Sequence, residues 1–196
     1  MKIELSDIHK SYFNKDAQLE QAVLRGISLT IESGEALSII GPSGSGKSTF
    51  LNLLGLLDQP TSGSLFFGGL ELNSFNEKQL AEFRNQKIGF VFQSHYLLPQ
   101  LNVLENILLP TLAFGDKKYR RAKDWLEQVG LTDKIQKFPS QLSGGECQRV
   151  AVIRALINQP EIILADEPTG SLDAESAEKI GDLLLQIHHQ EKVTLI

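Results

Sequence analysis

The run Gly41-Pro42-Ser43-Gly44-Ser45-Gly46-Lys47-Ser48 constrains this chain more than any other feature. It satisfies the pattern GxxxxGK[ST], which works only as a loop between a β-strand and an α-helix. Both neighbours are present. Ala36-Leu37-Ser38-Ile39-Ile40 predicts a buried strand, and Ser48 to Leu57 continues with helical apolar spacing. Glycines let the backbone curl so that successive N–H groups face phosphates, and the helix N-terminus adds its partial positive charge. Lys47 is then placed to reach the terminal phosphates, and Ser48 offers a hydroxyl to magnesium.

A second element answers the first. Ile162-Ile163-Leu164-Ala165-Asp166-Glu167 is an apolar strand that ends in two adjacent carboxylates, beside the phosphate loop if the sheet is parallel. Neighbouring strand residues point in opposite directions, which gives the two acids different tasks. Asp166 is expected to hold magnesium through its second shell, and Glu167 to face the attacking water as general base or water-orienting group. A solvated strand end is the plainer reading of an acidic pair, and the distant phosphate loop weighs against it.

The rest of the pattern is one α/β unit with insertions. Ile3 to Ile31 reads as antiparallel strands around a turn at Asn14-Lys15-Asp16, with a short strand at Leu65-Phe66-Phe67, a helix near Asn76 to Asn85 and a strand at Ile88 to Phe92. Strand signals are scarce from Gln93 to Ala155, where Ala122, Trp125, Leu126 and Val129 form a helical stripe closed by Gly130, with Trp125 in the core. A strand at Glu161 to Ala165 follows, then a helix lined by Ala177, Ile180, Leu184 and Ile187, then a strand from Lys192 to Ile196.

Composition narrows the function classes. The 196 residues carry 41% apolar and 22% charged side chains, which excludes disorder as the main state. No apolar run approaches the roughly 18 residues of a spanning helix. A net charge of -5 does not fit a general nucleic-acid binder, and Lys117 to Arg121 reads as a solvated face. The single cysteine, Cys147, suits a reducing compartment and reads as a small packed side chain.

Leu142-Ser143-Gly144-Gly145-Glu146 precedes a helical run starting near Cys147 and presents a further nest of amides; alone it is a weak helix-start signal. Together, Gly41 to Thr49, Gln93, Leu142 to Gln148, Ile162 to Glu167 and Ser171-Leu172-Asp173 resemble the nucleotide-binding domain of an ATP-binding cassette (ABC) transporter, over nearly the whole chain. The resemblance implies an α/β P-loop NTPase with a RecA-like core, an antiparallel β-subdomain and an inserted helical subdomain. Residues 1–196 would form a single domain, with 1–92 and 156–196 as β-subdomain plus core and 93–155 as the helical insertion.

By the same resemblance the ligands are ATP and Mg2+. Gly41, Pro42, Ser43, Gly44, Ser45, Gly46, Lys47, Ser48 and Thr49 would hold the nucleotide, Tyr12 would stack on adenine, and Ser48, Gln93 and Asp166 would surround the metal. Two copies would pair head to tail when ATP binds, Ser143, Gly144 and Gly145 of one completing the site of the other, with Glu167 catalytic and Asp173 communicating between copies. The same residues admit simpler roles: Tyr12 closing the β-subdomain, Gln93 ending its strand, Asp173 capping a helix.

Arg84 to Gln93, Leu97-Leu98-Pro99 with Leu104-Glu105-Asn106, and Ala165 to Asp173 resemble the lipoprotein-releasing and macrolide-exporter branch, the lipoprotein-releasing ATP-binding component being nearer. That implies a peripheral ATPase on the cytoplasmic face of the inner membrane, bound to integral membrane transporter subunits and not to nucleic acid. A macrolide-type exporter and an ATP-gated regulatory tether, as in a cell-division complex, are the alternatives. Tyr96, Leu97 and Leu98 are candidates for a groove that receives a helix of the membrane subunit, or equally for helical core. The family places a histidine just beyond the strand beginning at Val193, with no counterpart here; His188 and His189 read as solvated helix-end residues. The expectation is a C-terminally shortened domain that binds ATP, with hydrolysis left open.

Overall fold

The computed structural model describes residues 1–14, 19–72, 75–115 and 118–196. Lys15 and Asp16 of the expected turn, and Lys117 of the basic run, lie outside the described residues.

Two sheets organise the chain. Strand β1 (Ile3–Asn14) pairs antiparallel with β2 (Leu19–Ile31) and with β3 (Ser62–Phe67), and β3 pairs with β4 (Leu70–Glu71), giving the order β2-β1-β3-β4. Helix α1 (Lys47–Leu54) follows the glycine loop and α2 (Glu77–Lys87) leads into β5 (Ile88–Phe92). The described residues from 93 to 156 then hold only helices: α3 (Val103–Leu108), α4 (Tyr119–Gln128), α5 (Gly144–Leu156) and short 3-10 turns between them. Strand β6 (Ile162–Asp166), helix α6 (Ala174–Glu191) and strand β7 (Thr194–Leu195) complete the order, and β5-β6-β7 form a parallel sheet.

The cores explain this arrangement. Ile162 and Leu164 of β6 pack with the N-terminal sheet and α1, through Ile3, Phe67 and Leu54. Ile163 between them packs on the other side with α5 and α6, through Val150, Ile153 and Ile187. A strand with apolar residues on both faces belongs between two layers, and the near-continuous apolar run of β6 is the sequence of such a strand. Trp125 is 3% exposed in the second core, as its helical stripe implied.

Three expectations need correction. Ala36 to Ile40 is not a strand: a lone parallel bridge joins Ala36 to Leu195, with Leu37 N–H donating to the Leu195 carbonyl at 2.8 Å. Beyond that bridge Ile40 is 90% exposed. The basic run is only partly solvated, because Arg121 bonds Glu191 at 3.0 Å and lies over the Trp125 ring. His188 is half-buried rather than free, its Nδ1 lying 2.8 Å from the Val193 carbonyl and tying the end of α6 to the approach of β7.

Helix starts follow local chemistry. Asn76, Asn102 and Ser143 each form a capping box with Gln79, Glu105 and Glu146, and Asp173 caps α6 by accepting from Ser176 N–H at 2.9 Å. Helix α1 differs. Its N-cap is Gly46, with no side chain to occupy the first amides.

Candidate functional site

The glycine loop is built to keep those amides open. Gly44 and Gly46 sit at φ 78° and 95°, left-handed values that cost a side-chain-bearing residue of the order of 1–2 kcal/mol. A Cβ on Gly41 would lie 2.7 Å from Ser45 Oγ, so the loop closes tightly across its first glycine. Lys47 Nζ donates to the Gly41 and Pro42 carbonyls at 3.0 and 3.2 Å and lies 3.9 Å from Glu167 Oε1. The next residue, Ser48, donates from Oγ to Asp166 Oδ1 at 3.2 Å, across 118 residues of sequence.

The two carboxylates therefore meet adjacent residues of α1. Strand alternation does not set the direction of Glu167, because β6 ends at Asp166 and Glu167 turns out of it at φ 46°. A non-glycine residue in that region is uncommon and persists only where its surroundings enforce it. Its side chain remains 57% exposed beside Lys47.

Parallel register supplies the third arm. Phe92 pairs with Asp166, so Gln93 and Glu167 leave the sheet side by side. Gln93 packs over Gly170, where a Cβ would come within 2.9 Å of its Nε2, and its carbonyl accepts from Ser171 Oγ at 3.0 Å. Gln93 thus does end its strand, and it also faces the turn that carries Glu167.

Tyr12 is 43% exposed and donates to Asp58 Oδ2 at 2.7 Å. Lys10 bonds Asp58 at 2.6 Å and stands 4.8 Å from the Tyr12 ring centroid. Burial and the Asp58 bond push the phenol above its ordinary pKa, and the Thr49 side chain bonds it from α1. This links β1 to the phosphate-loop helix and leaves one ring face to the lysine ammonium.

Ser143, Gly144 and Gly145 lie elsewhere. Ser143 Oγ accepts from Glu146 N–H at 3.2 Å, and Ser143 N–H donates to Glu146 Oε2 at 2.7 Å, which holds the Glu146 carboxyl below its ordinary pKa. Gly145 packs against Ser176, and Gly144 faces Leu172. These residues contact the start of α6, not the phosphate loop of their own chain.

Two side chains to which the sequence assigns no role frame the site. Gln148, 1% exposed on α5, donates from Nε2 to the carbonyls of Phe92 and Pro168 at 2.7 and 2.9 Å. Arg154, nearly two turns on, donates to the carbonyls of Tyr96 and His95, each at 2.7 Å. A glutamine on the buried stripe of a helix, between Cys147 and Val150, was the available signal. Cys147 itself is buried, its thiol pKa raised by that burial, as a packed side chain should be.

The apolar trio after Gln93 divides. Leu97 is 6% exposed in the helical core, whereas Tyr96 and Leu98 are 66% and 42% exposed. The concave surface nearby is lined instead by Leu57, Arg84, Phe90, Phe92, Leu109 and Arg154, around a groove of ≈ 430 Å³.

Comparison with known proteins agrees with this geometry. The ABC transporter family matches residues 24–170. The lipoprotein-releasing system ATP-binding protein LolD of Syntrophus aciditrophicus is 50% identical over 99% of this chain and 87% of its own length. The protein of the same name from Legionella pneumophila is 47% identical over 96% of this chain and 84% of its own. Among solved structures, the dimeric post-hydrolysis state of the ATP-binding cassette MJ0796, bound to ADP and Pi, superposes with a TM-score of 0.87 at 40% identity, covering 98% of this chain and 85% of that one. With a phosphate loop, a carboxylate pair and a parallel sheet in this arrangement, and with matches of this extent, the chain belongs to the ABC transporter family.

Proposed function

We propose that this chain is the ATP-hydrolysing subunit of an ABC transporter that drives release of lipoproteins from the inner membrane. The observation that carries the catalytic part is the convergence of Lys47, Ser48, Asp166 and Glu167 on the start of α1. The cargo rests on the LolD relatives, which span nearly all of this chain.

The residues divide the work as follows. Loop amides and the α1 N-terminus bind the phosphates, and Lys47 exchanges its bonds to Gly41 and Pro42 for the terminal phosphates. Glu167 accepts a proton as water attacks the terminal phosphorus, the new P–O bond replacing the bond to the ADP oxygen. The Ser48 hydroxyl, the Asp166 carboxylate and the Gln93 amide oxygen suit Mg2+, a hard cation that takes oxygen ligands. When bound, Mg2+ supplies charge neutralisation for the phosphate oxygens.

Ser143, Gly144 and Gly145, which pack beside Leu172 and Ser176, fit a role at the nucleotide of a second, head-to-tail copy, as dimeric cassettes of this fold suggest. Residues 93–155 act as the helical subdomain. The groove between α2, β5 and α5, apolar with Arg84 and Arg154 at its walls, suits a short helix of a membrane subunit. No helix among the described residues is long and apolar enough to cross a membrane. The LolD relatives, ATP-binding proteins of a lipoprotein-releasing system, support a peripheral place on the cytoplasmic face of the membrane.

The test is reconstitution. In inner-membrane vesicles carrying the membrane subunits and a lipoprotein, ATP should release the lipoprotein, and Lys47→Ala should abolish release. ATP-driven export of a small hydrophobic drug with no lipoprotein release would reassign the cargo, and release that survives Lys47→Ala would remove this chain as its motor.

A further inference from the structure

Two backbone positions flanking the site are strained in the same way. Glu167 and Tyr96 both hold φ 46° without being glycine. One follows β6 directly and the other lies three residues beyond Gln93, so each marks a loop forced away from its relaxed course. Both loops are held by side chains of one helix, α5.

Gln148 bridges them. Its two Nε2 protons are consumed by Phe92 O, immediately before Gln93, and Pro168 O, immediately after Glu167. Arg154 holds the other end of the Gln93 loop through the carbonyls of His95 and Tyr96 itself. The helix reaches β5 this closely because Gly89 has no side chain: a Cβ there would stand 2.5 Å from the Ala155 carbonyl oxygen. Gln93 is therefore slung between two clamps on one rigid element, and the shorter clamp also fixes the turn that aims Glu167.

We propose that Gln148 is a positioning residue for hydrolysis, holding the Gln93 and Glu167 loops in register, with Arg154 securing the far end of the Gln93 loop. This rests on the ATPase reading above. Gln148 touches neither nucleotide nor water; it acts through the two residues that do. Its loss should slow the chemical step and leave nucleotide binding, which belongs to the glycine loop, nearly intact.

The full-length chain is assayed with Mg-ATP, measuring phosphate release at saturation, KM and thermal unfolding. Gln148→Met keeps the length and removes both donors; it should lower kcat about tenfold with KM changed less than about threefold. Arg154→Met, on a less buried residue, should lower kcat about threefold, and Arg154→Lys, which retains a donor, should recover part of that. In a Gln93→Ala background Gln148→Met should cost less than its full tenfold, because the share carried by the Gln93 loop is already lost while the share carried by the Glu167 turn remains. If Gln148→Met fails to fold, the Arg154 pair decides.

The proposal is overturned if kcat stays within about twofold in Gln148→Met and Arg154→Met, or if the Gln148→Met and Gln93→Ala losses multiply independently. It is likewise overturned if kcat, KM and melting temperature all shift together, the mark of a general structural role. Lys47→Ala and Glu167→Gln separate this from failure of the ATPase reading. If those two leave turnover unchanged, the ATPase reading falls and the proposal with it; if they abolish turnover while the α5 variants do not alter it, only the proposal falls.

Discussion

Gly170→Ala should separate catalysis from stability in opposite directions. An added Cβ would lie 2.9 Å from Gln93 Nε2, 3.3 Å from Cδ and 3.4 Å from Cγ. Comfortable contact begins near 3.5 Å, so the Gln93 amide must retreat by roughly 0.5 Å. Misplacing a reacting or orienting group by about 1 Å costs about a hundredfold in rate, so half of that is worth about tenfold, or about 1.4 kcal/mol in activation free energy. Stability should not fall. Gly170 is exposed and its backbone lies outside the left-handed region, so alanine removes unfolded-chain entropy and adds about 0.4–1 kcal/mol. Phosphate release at saturating Mg-ATP and thermal unfolding of the same preparation read both effects. Turnover within about twofold of the parent, or a loss of turnover accompanied by a lower melting temperature, would refute the reasoning.

Other substitutions probe other joints of the fold. Gly89→Ala drives a Cβ against the Ala155 carbonyl, backbone that cannot step aside, and should destabilise the chain by about 1–3 kcal/mol in denaturant titration. Glu146 offers a pH test: its folded pKa lies below the ordinary 4.5, so its stabilisation is complete above that value and is lost as pH falls through the folded pKa. Glu146→Gln retains a capping side chain and should flatten that part of the acid limb of stability against pH; an unchanged limb would show that the carboxylate contributes nothing. Leu57→Glu places a charge in the groove beside β5 and should reduce co-purification with the membrane subunits, and undiminished capture would remove the groove from that interface.

What the sequence made visible was local. The glycine loop, the strand ending in Asp166 and the caps of α5 and α6 depend on residues a few positions apart, and they stand where spacing put them. The meeting of Gln93 and Glu167 is legible as well, because each follows an apolar strand and the ends of parallel neighbours share an edge. What stayed hidden depends on distant partners. Ala36 to Ile40 has the composition of a buried strand but is joined to the sheet by a single bridge, and pairing, not composition, makes a strand. Leu97 and Leu98 are identical in type and adjacent, yet one is core and the other is surface, a division set by how the loop after Gln93 turns. For Gln148 and Arg154 the residue type says little; their meaning is in which carbonyls, 20 to 59 residues away, they reach.

Glu167→Gln tests the central claim most directly. The substitution preserves shape and removes the proton acceptor, so Mg-ATP should bind with affinity within about threefold of the parent while phosphate release falls by about a hundredfold or more. An ATP-bound dimer should accumulate in the same sample. Phosphate release at the parental rate would show that Glu167 is not the group that activates water, and the site built around Lys47, Ser48 and Asp166 would need another catalyst.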